Sequence, residues 1–304
     1  MKKDLLSIRD LTKDEIVDLI NRGLEIKKEG RSTKRPLRGY TMGLIFEKAS
    51  TRTRISFETA MFRLGGETLF LSAGDTQMSR NEEVKDSARV LSRYLDILVI
   101  RTFSQEFIEE MSGWADIPVI NALSDLYHPC QILSDLMTVK EKKGTLNGLK
   151  VAWVGDGNNV AHSWINASRL LGFDLVMACP ADYKPRAEIL EGTENNIRLM
   201  DNPIDAVRDA DIINTDVWTS MGQDSEREQR VLDFQGFQVN KAMVETAKPD
   251  VLVMHCLPAH RGEEITDEVL EGPNSVVFDQ AENKMHVHQA ILEKFLVTQG
   301  TRTK

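Results

Sequence analysis

Residues 42–64, MGLIFEKASTRTRISFETAMFRL, change from one periodicity to another within a few positions. The run Met42–Phe46 is continuously apolar, which is typical of a strand buried on both faces. After the polar residues 47–54, the apolar residues Phe57, Met61 and Leu64 recur at helical spacing. This spacing predicts a helix over Ile55–Leu64. A buried strand followed directly by an amphipathic helix indicates a βα unit of a parallel sheet.

The same alternation extends outward in both directions. An opening helix is predicted over Thr12–Glu29, where Thr12 and Glu15 form a capping box, and another over Val84–Tyr94. Further buried strands are predicted over Thr68–Leu71, Ile97–Ile100 and Pro118–Ile120.

A polar stretch at residues 140–148 interrupts the pattern, and a second βα series follows it. Its predicted strands are Leu149–Val154, Leu175–Cys179, Ile212–Thr215, Val251–His255 and Val276–Phe278. We therefore predict an α/β protein with two doubly wound parallel-sheet domains, residues 1–143 and 148–288. The helix-like stretch Gln289–Thr298, within residues 289–304, is expected to pack back on the first domain. Ligands of such sheets collect at the carboxyl ends of strands, so the active site is expected in the cleft between the domains.

Composition narrows the class of partner. The 304 residues carry a formal net charge of −9, which disfavours nucleic acid and anionic membrane surfaces. Three cysteines, a charged start and no apolar run long enough to span a membrane favour a reducing, cytoplasmic location. A local cluster of Arg52, Arg54 and Arg101 is still compatible with a small anionic metabolite.

The segment Ser50–Arg54 is predicted to grip a phosphate at the start of the helix. Backbone N–H groups, hydroxyl groups and the helix dipole converge there on one anion, and an arginine adds a bidentate fork. The alternative is a simple N-capping run with two solvated arginines. The chain has no glycine-rich Walker loop with lysine, so a nucleoside triphosphate is not indicated.

Three more motifs lie beside predicted strand ends or helix starts. His128 precedes Pro129, which can begin a helix, so the imidazole can donate to a carbonyl or phosphoryl oxygen or be purely structural. Residues Asp216–Gln223 combine an acid, a hydroxyl group and a flexible glycine. This combination is compatible with a binding site for an amino acid or with an ordinary turn. Cys256 is followed by Leu257 and Pro258, whose extended backbone favours carbonyls that accept from an amine. Cys256 can alternatively be a nucleophile or an inert buried thiol.

Residues 154–160 partly match a dinucleotide-binding fingerprint, but Val160 stands where the third glycine belongs. The next strand also lacks an acid for a ribose, so a nicotinamide cofactor is not expected. Asn159 on this loop is better placed to bind substrate.

Taken in order, residues 50–54 (STRTR), 128–131 (HPCQ), 216–222 (DVWTSMG) and 255–258 (HCLP) resemble the aspartate/ornithine carbamoyltransferase family. The resemblance covers essentially the whole chain, and the SMG and HCLP motifs favour its ornithine-using members. It implies transfer of the carbamoyl group of carbamoyl phosphate to the δ-amine of ornithine, giving citrulline and phosphate, without metal or cofactor. It also implies a homotrimer or a multiple of trimers, in which the loop of Gln77 reaches a neighbouring site.

The resemblance assigns site residues by position. Catalytic roles fall on Arg101, His128 and Cys256. Carbamoyl phosphate contacts fall on Ser50, Thr51, Arg52, Thr53, Gln77, Arg101, His128, Pro129, Cys130, Gln131, Cys256, Leu257 and Lys284. Ornithine contacts fall on Asn159, Asp216, Ser220 and Met221.

One position departs from the family pattern. Lys284 stands where an arginine usually follows the Glu-Asn pair, so a bidentate fork becomes a point charge. Alternatives to ornithine transfer are another amine, such as putrescine or an acylated ornithine, and a non-catalytic binding protein of the same fold. The final proton acceptor is either the departing phosphate or Cys256.

Overall fold

The computed structural model describes residues 3–72, 82–192 and 196–297 and divides into two compact units. Unit 1 comprises Met1–Met137 and Glu282–Lys304, and unit 2 comprises Thr138–Ala281. Both divisions fall inside continuous helices, Pro129–Lys143 and Val277–Leu296. The predicted domain limits at residues 143, 148 and 288 lie six to ten residues further along the chain than the limits of these units. The prediction relied on a polar stretch and on apolar spacing, and neither shows at which residue of a continuous helix one unit ends and the other begins.

Unit 1 contains a parallel sheet with helices between its strands. Among the described residues its strands are β1 (Thr41–Phe46), β2 (Glu67–Ser72), β3 (Ile97–Arg101) and β4 (Val119–Leu123). The helices are α1 (Lys13–Glu29), α2 (Thr51–Leu64), α3 (Val84–Tyr94), α4 (Gln105–Trp114) and α5 (Pro129–Lys143), after a 3-10 turn at Ile8–Asp10.

The strand order in this sheet is β2-β1-β3-β4. The chain therefore changes winding direction between β1 and β3, and such a switch point is where open α/β sheets bind ligands. Strand β2 lies at the edge, and its Leu69 is 53% exposed. The prediction of a strand near Thr68–Leu71 is confirmed. The prediction that this strand is buried is wrong, because an edge strand has a neighbouring strand on one side only.

The opening helix follows its capping signal. Thr12 is the N-cap, its N–H donates to Glu15 Oε2 at 2.9 Å, and the Glu15 N–H donates to Thr12 Oγ1 at 3.2 Å. The buried positions Ile16, Leu19, Ile20 and Ile26 lie on one face of α1. The capping box and the helix are thus confirmed.

Unit 2 contains the second parallel sheet. Its described strands are β5 (Lys150–Val154), β6 (Asp174–Ala178), β7 (Ile197–Met200), β8 (Ile212–Thr215) and β9 (Leu252–His255), in the order β7-β6-β5-β8-β9. The helices that follow α5 are α6 (Asn159–Leu171), α7 (Ala187–Leu190), α8 (Pro203–Val207), α9 (Arg227–Asp233), α10 (Lys241–Val244), α11 (Asp267–Leu270) and α12 (Val277–Leu296), with 3-10 turns at Ala181–Tyr183 and Asp224–Glu226. The switch point here lies between β5 and β8.

The predicted strand at Val276–Phe278 is wrong. Ser275 forms a single parallel bridge with Val253, and the Val276 N–H donates to the Val253 carbonyl at 3.0 Å. Helix α12 then begins at Val277, and Phe278 is 63% exposed on it. A short apolar run does not distinguish a strand from a helix start. No helix in the described ranges is both long and apolar enough to cross a membrane.

Candidate active site

The predicted phosphate turn is the first turn of α2. Ser50 is the N-cap, with extended backbone, and its Oγ accepts from the Thr53 N–H at 3.2 Å. Thr51 and Arg52 are exposed, whereas Thr53 is buried. The first N–H groups of any helix have no acceptor within it, so this turn offers donors and a positive dipole end to an anion.

Arg101 ends the neighbouring strand β3. It pairs in register with Phe46, the last residue of β1, and its carbonyl accepts from the Glu47 N–H at 2.9 Å. Arg101 is buried at this carboxyl end of the sheet. The phosphate turn follows β1 and Arg101 ends β3, and these two strands flank the switch point of unit 1.

His128 precedes α5, which begins at Pro129 as the His-Pro pair predicted. Burial, together with the positive charges of Lys284, Arg101 and His288, lowers the pKa of His128 well below its ordinary value of 6.5. The imidazole is therefore neutral at neutral pH. A neutral imidazole in a buried, positive site can donate one hydrogen bond to a carbonyl oxygen without adding charge.

Gln131 and Lys284 are directly joined. Lys284 Nζ donates to Gln131 Oε1 at 3.0 Å, and Gln131 Nε2 donates to Asp135 Oδ1 at 2.8 Å. Both Gln131 and Lys284 are buried. The position where the family pattern has arginine thus supplies a buried ammonium beside the predicted carbamoyl contact.

Cys130 lies in the same turn, but its side chain points into the core. Its thiol donates to the Asn121 carbonyl at 3.4 Å, and burial raises its pKa to about 12. A thiol of this kind is inert at neutral pH. Any contact of Cys130 with carbamoyl phosphate would then be through its backbone.

In unit 2, Asp216 joins two loops that follow neighbouring strands. Its Oδ2 accepts from Asn158 Nδ2 at 2.9 Å, and its Oδ1 accepts from the Cys256 thiol at 3.1 Å. Asp216 follows β8 and Cys256 follows β9. A buried carboxylate with one thiol and one amide is suited to hold an ammonium or amine.

Close packing and backbone conformation account for the two glycines in the loop after β5. A Cβ on Gly157 would lie 2.2 Å from the backbone nitrogen of Pro185, and Gly155 has φ +134°. Asn158 is the N-cap of α6, since its Oδ1 accepts from Val160 N at 2.9 Å and Ala161 N at 3.2 Å. Asn159, the predicted substrate contact, is the first residue of α6 and is half-buried.

Ser220 and Met221 lie on the loop after β8. The Ser220 N–H donates to Gln223 Oε1 at 2.9 Å, the Gln223 N–H returns to the Ser220 carbonyl at 3.0 Å, and Met221 is 46% exposed. Arg230 on α9 fixes the start of this loop by donating to the Trp218 carbonyl at 2.9 Å. The hydrogen bonds fix this turn and leave the Met221 side chain exposed, so it is available to contact a bound molecule.

Arg230 also lies beside Asp156 in the loop after β5. Its Nη1 is 3.3 Å from Asp156 Oδ2, and its Nε donates to Glu226 at 3.0 Å. Burial raises the pKa of Asp156 to about 7, although Arg230 opposes that shift. Arg230 thus connects two of the loops that carry predicted ornithine contacts.

A turn stabilised by hydrogen bonds presents Leu257. Its N–H donates to His255 Nδ1 at 2.9 Å, which leaves the ring proton on Nε2, and Nε2 lies 3.0 Å from Glu264 Oε1. Both His255 and Glu264 are fully buried. The backbone of Leu257 has φ +57°, so the predicted extended geometry before Pro258 is wrong at this residue. The hydrogen bond to His255 holds the left-handed conformation in place.

Gln77, the remaining predicted carbamoyl phosphate contact, lies outside the described residues. A cavity of about 760 Å³ lies elsewhere in unit 1, by the ends of α1 and α2, and none of the predicted site residues lines it. The structure thus groups the predicted contacts by unit: the phosphate turn, Arg101, His128, Gln131 and Lys284 in unit 1, and Asn159, Asp216, Ser220, Cys256 and Leu257 in unit 2.

Sequence reasoning did not single out Asn158, Asp156, Arg230 or Glu264. An asparagine just before an apolar-periodic segment is a recognised N-cap signal, so the capping role of Asn158 could have been predicted from the sequence. Arg230 and Glu264 lie 12 and 9 residues along the chain from Trp218 and His255, which they contact, and no local pattern marks these contacts.

Family models match nearly the entire chain. The carbamoyl-P binding domain of aspartate/ornithine carbamoyltransferase matches residues 3–141, and the Asp/Orn binding domain matches residues 147–295. The ornithine carbamoyltransferase of Desulfotalea psychrophila is 56% identical over 302 residues, covering 97% of this chain and 100% of the relative. That of Syntrophus aciditrophicus is 54% identical, covering 96% and 99%.

Solved structures agree with these matches. The ornithine carbamoyltransferase from Pyrococcus furiosus superposes with a TM-score of 0.93 at 49% identity, covering 99% of this chain and 98% of that one. The anabolic enzyme from Campylobacter jejuni superposes with a TM-score of 0.92 at 41% identity, covering 99% and 100%. With both domains matched and relatives similar over their full length, this chain belongs to the aspartate/ornithine carbamoyltransferase family.

Proposed function

We propose that the chain is an ornithine carbamoyltransferase, which transfers the carbamoyl group of carbamoyl phosphate to the δ-amine of L-ornithine and releases L-citrulline and phosphate. The observation that carries the proposal is the buried positive group of Arg101, neutral His128, Gln131 and Lys284, in the same unit as the first turn of α2. Full-length relatives that are all named ornithine carbamoyltransferase support the choice of acceptor.

In this mechanism the first turn of α2 binds the phosphate through Ser50, Thr51, Arg52 and Thr53. Arg101 spans the phosphate and the carbonyl oxygen, His128 donates to that oxygen, and Gln131 holds the carbamoyl amide. Attack by the uncharged δ-amine places negative charge on the carbonyl oxygen. Each preorganised donor to that oxygen lowers the barrier by about 3 kcal/mol.

In unit 2 we assign the ornithine backbone to Asn159, Asp216, Ser220 and Met221, and the side-chain amine to the vicinity of Cys256 and Leu257. Asp216 is itself held by Asn158, so its carboxylate is fixed before ornithine binds. The carbonyl groups near Leu257 accept from the amine and orient its lone pair. The proton released on attack goes to the departing phosphate or to Cys256.

We further propose a cytoplasmic enzyme of arginine metabolism that assembles as a trimer or a multiple of trimers. In such an assembly the loop of Gln77 would contribute to a neighbouring subunit's site. Sedimentation of the purified chain measures this directly, and a monomeric, fully active enzyme would contradict it.

The test of function is steady-state kinetics with carbamoyl phosphate and a panel of amines: ornithine, putrescine, N-acetylornithine and aspartate. Ornithine should give the highest kcat/KM, with citrulline and phosphate formed in equal amounts. Putrescine has no carboxylate to meet the donors of the Ser220–Met221 loop and should be poor. Preference for another amine would overturn the acceptor assignment, and ligand binding without turnover would overturn catalysis.

A further inference from the structure

Three ligand atoms converge in the loop between β9 and α11, a few residues after the proposed substrate contacts Cys256 and Leu257. His260 Nδ1 lies 3.6 Å from Glu263 Oε2 and 4.0 Å from Glu264 Oε2. All three side chains have ligand atoms within 4.8 Å of one another. Each of the three atoms is buried, and none has a hydrogen-bonding partner among the described residues.

The other carboxylate oxygens are already engaged. Glu263 Oε1 is paired with Arg227. Glu264 Oε1 accepts from the His260 N–H at 2.6 Å and faces His255 Nε2 at 3.0 Å. These contacts orient both carboxylates so that their remaining oxygens face the imidazole. Leaving such buried acceptors unpaired costs free energy, and two carboxylates that face one point also repel each other.

Contacts that do not involve these three side chains also hold the backbone of the loop. Gly262 has φ +90°, which favours glycine, and its N–H donates to the Ile265 carbonyl at 2.9 Å. Gln238 Nε2 donates to the carbonyls of Gly262 at 2.7 Å and Glu263 at 2.9 Å. The three candidate ligands therefore sit on a preorganised turn, as an ion-binding site requires.

We propose that His260, Glu263 and Glu264 bind a divalent cation of the Zn²⁺ class. One imidazole nitrogen and two carboxylate oxygens suit borderline cations, whereas Mg²⁺ and Ca²⁺ prefer six or more oxygens. With bond lengths of about 2.0–2.2 Å, the ligand atoms of a tetrahedral zinc site lie about 3.4 Å apart. The two separations from His260 Nδ1, 3.6 and 4.0 Å, are close to that spacing. A water molecule would take the fourth position.

The site has a structural consequence for the HCLP loop. Glu264 contributes one oxygen to the cation and the other to His255, whose Nδ1 accepts from the Leu257 N–H. A bound cation would hold the Glu264 carboxylate and thereby the turn that presents Leu257. His260, Glu263 and Glu264 are thus positioning residues, and the cation takes no part in the chemical step.

Metal binding is measured on the full chain after treatment with a chelator, by calorimetric titration with Zn²⁺ and by the absorption spectrum with Co²⁺. His260→Asn and Glu263→Gln should each weaken Zn²⁺ binding about tenfold or more. Glu268→Gln is the matched control, because it removes a carboxylate that is exposed and paired with Lys241. Cys256→Ser tests the other potential ligand group, Asp216, His255 and Cys256.

The expected result is one saturable Zn²⁺ site that survives Glu268→Gln and Cys256→Ser, with a Co²⁺ spectrum free of thiolate charge transfer. Three results would overturn the proposal: no saturable binding, equal affinity in His260→Asn, Glu263→Gln and the control, or loss of the site in Cys256→Ser. Since no substrate is present, these outcomes are independent of the amine specificity.

Discussion

The ammonium group of Lys284 on α12 donates a 3.0 Å hydrogen bond to Oε1 of Gln131 on α5. The amide group of Gln131 is held at both ends, because its Oε1 accepts from Lys284 and its Nε2 donates to Asp135. A lysine therefore orients the predicted carbamoyl contact while placing its charge near His128.

Replacing Lys284 tests whether this charge serves the phosphate. Lys284→Met should raise the KM for carbamoyl phosphate about tenfold or more, since a hydrogen bond to a charged group contributes about 1.5–3 kcal/mol. Lys284→Arg should keep or tighten the affinity, because the charge is retained and a fork is gained. Initial rates at saturating ornithine measure both. A large loss in Lys284→Arg would show that Lys284 is not part of the anion site.

Arg52→Ala and Arg101→Ala should each lower kcat/KM for carbamoyl phosphate about a hundredfold or more, because each removes a preorganised donor to developing charge. Circular dichroism should show an intact fold in both variants. Arg63→Ala, at the other end of α2, is the matched control and should leave the kinetics unchanged. Near-normal citrulline production by either site variant would refute their assignment.

Asn158→Ala should raise the KM for ornithine and lower the free energy of unfolding by about 1 kcal/mol, since it removes both the Asp216 contact and the α6 cap. Ser104→Ala removes the cap of α4, where Ser104 Oγ accepts from the Phe107 N–H at 3.0 Å. This control should lose similar stability without any change in ornithine KM. Equal KM effects in the two variants would contradict a role for Asn158 at the site.

Arg230→Lys should raise the KM for ornithine several-fold while leaving the KM for carbamoyl phosphate unchanged. A lysine keeps the charge but cannot contact the Trp218 carbonyl, Asp156 and Glu226 together. Equal shifts in both KM values would indicate general destabilisation instead of loop positioning.

His288→Phe should stabilise the protein in acid. Burial and Lys284 lower the pKa of His288 well below 6.5, so the folded state keeps it neutral while the unfolded state binds a proton below that value. Stability is then lost as pH falls below about 6.5, by up to about 2 kcal/mol at pH 5 for one such group. His288 stacks on Phe57 with 3.6 Å between ring centroids, and phenylalanine preserves that stack.

Urea unfolding at pH 5 and pH 8 measures this difference. The advantage of His288→Phe over the wild type should be larger at pH 5. Phe57→Leu, which removes the other ring of the stack, should destabilise the protein by a similar amount at both pH values. A pH-independent effect of His288→Phe would rule out the titration of His288 as a cause of acid sensitivity.

Much of the fold was readable because buried parallel strands are short apolar runs and helices show their caps. Thr12 marked the start of α1 at the residue where that helix is capped. Helix α2 begins at Thr51, four residues before the predicted Ile55, because the polar first turn capped by Ser50 carries no apolar periodicity. Errors arose where the signal depends on neighbours: the exposure of β2 reflects its edge position, and residues 276–278 begin a helix after a single bridge to β9.

The site was predictable in its motifs and less so in its supports. Arg101 and His128 stand beside a strand end and a helix start that the sequence marked. Burial, followed by the charges of Lys284, Arg101 and His288, lowers the pKa of His128, and Lys284 and His288 lie about 160 residues further along the chain. Likewise, the hydrogen bonds that Arg230 donates and that Glu264 accepts form only in the folded chain.

Each of the two sheets has its own point of winding reversal, with strand orders β2-β1-β3-β4 and β7-β6-β5-β8-β9. The predicted phosphate turn follows β1 and Arg101 ends β3 at the first point, whereas Asn159 and Asp216 follow β5 and β8 at the second. The loop after β8 can therefore be redesigned for a new amine without altering the strands that carry the phosphate turn and Arg101.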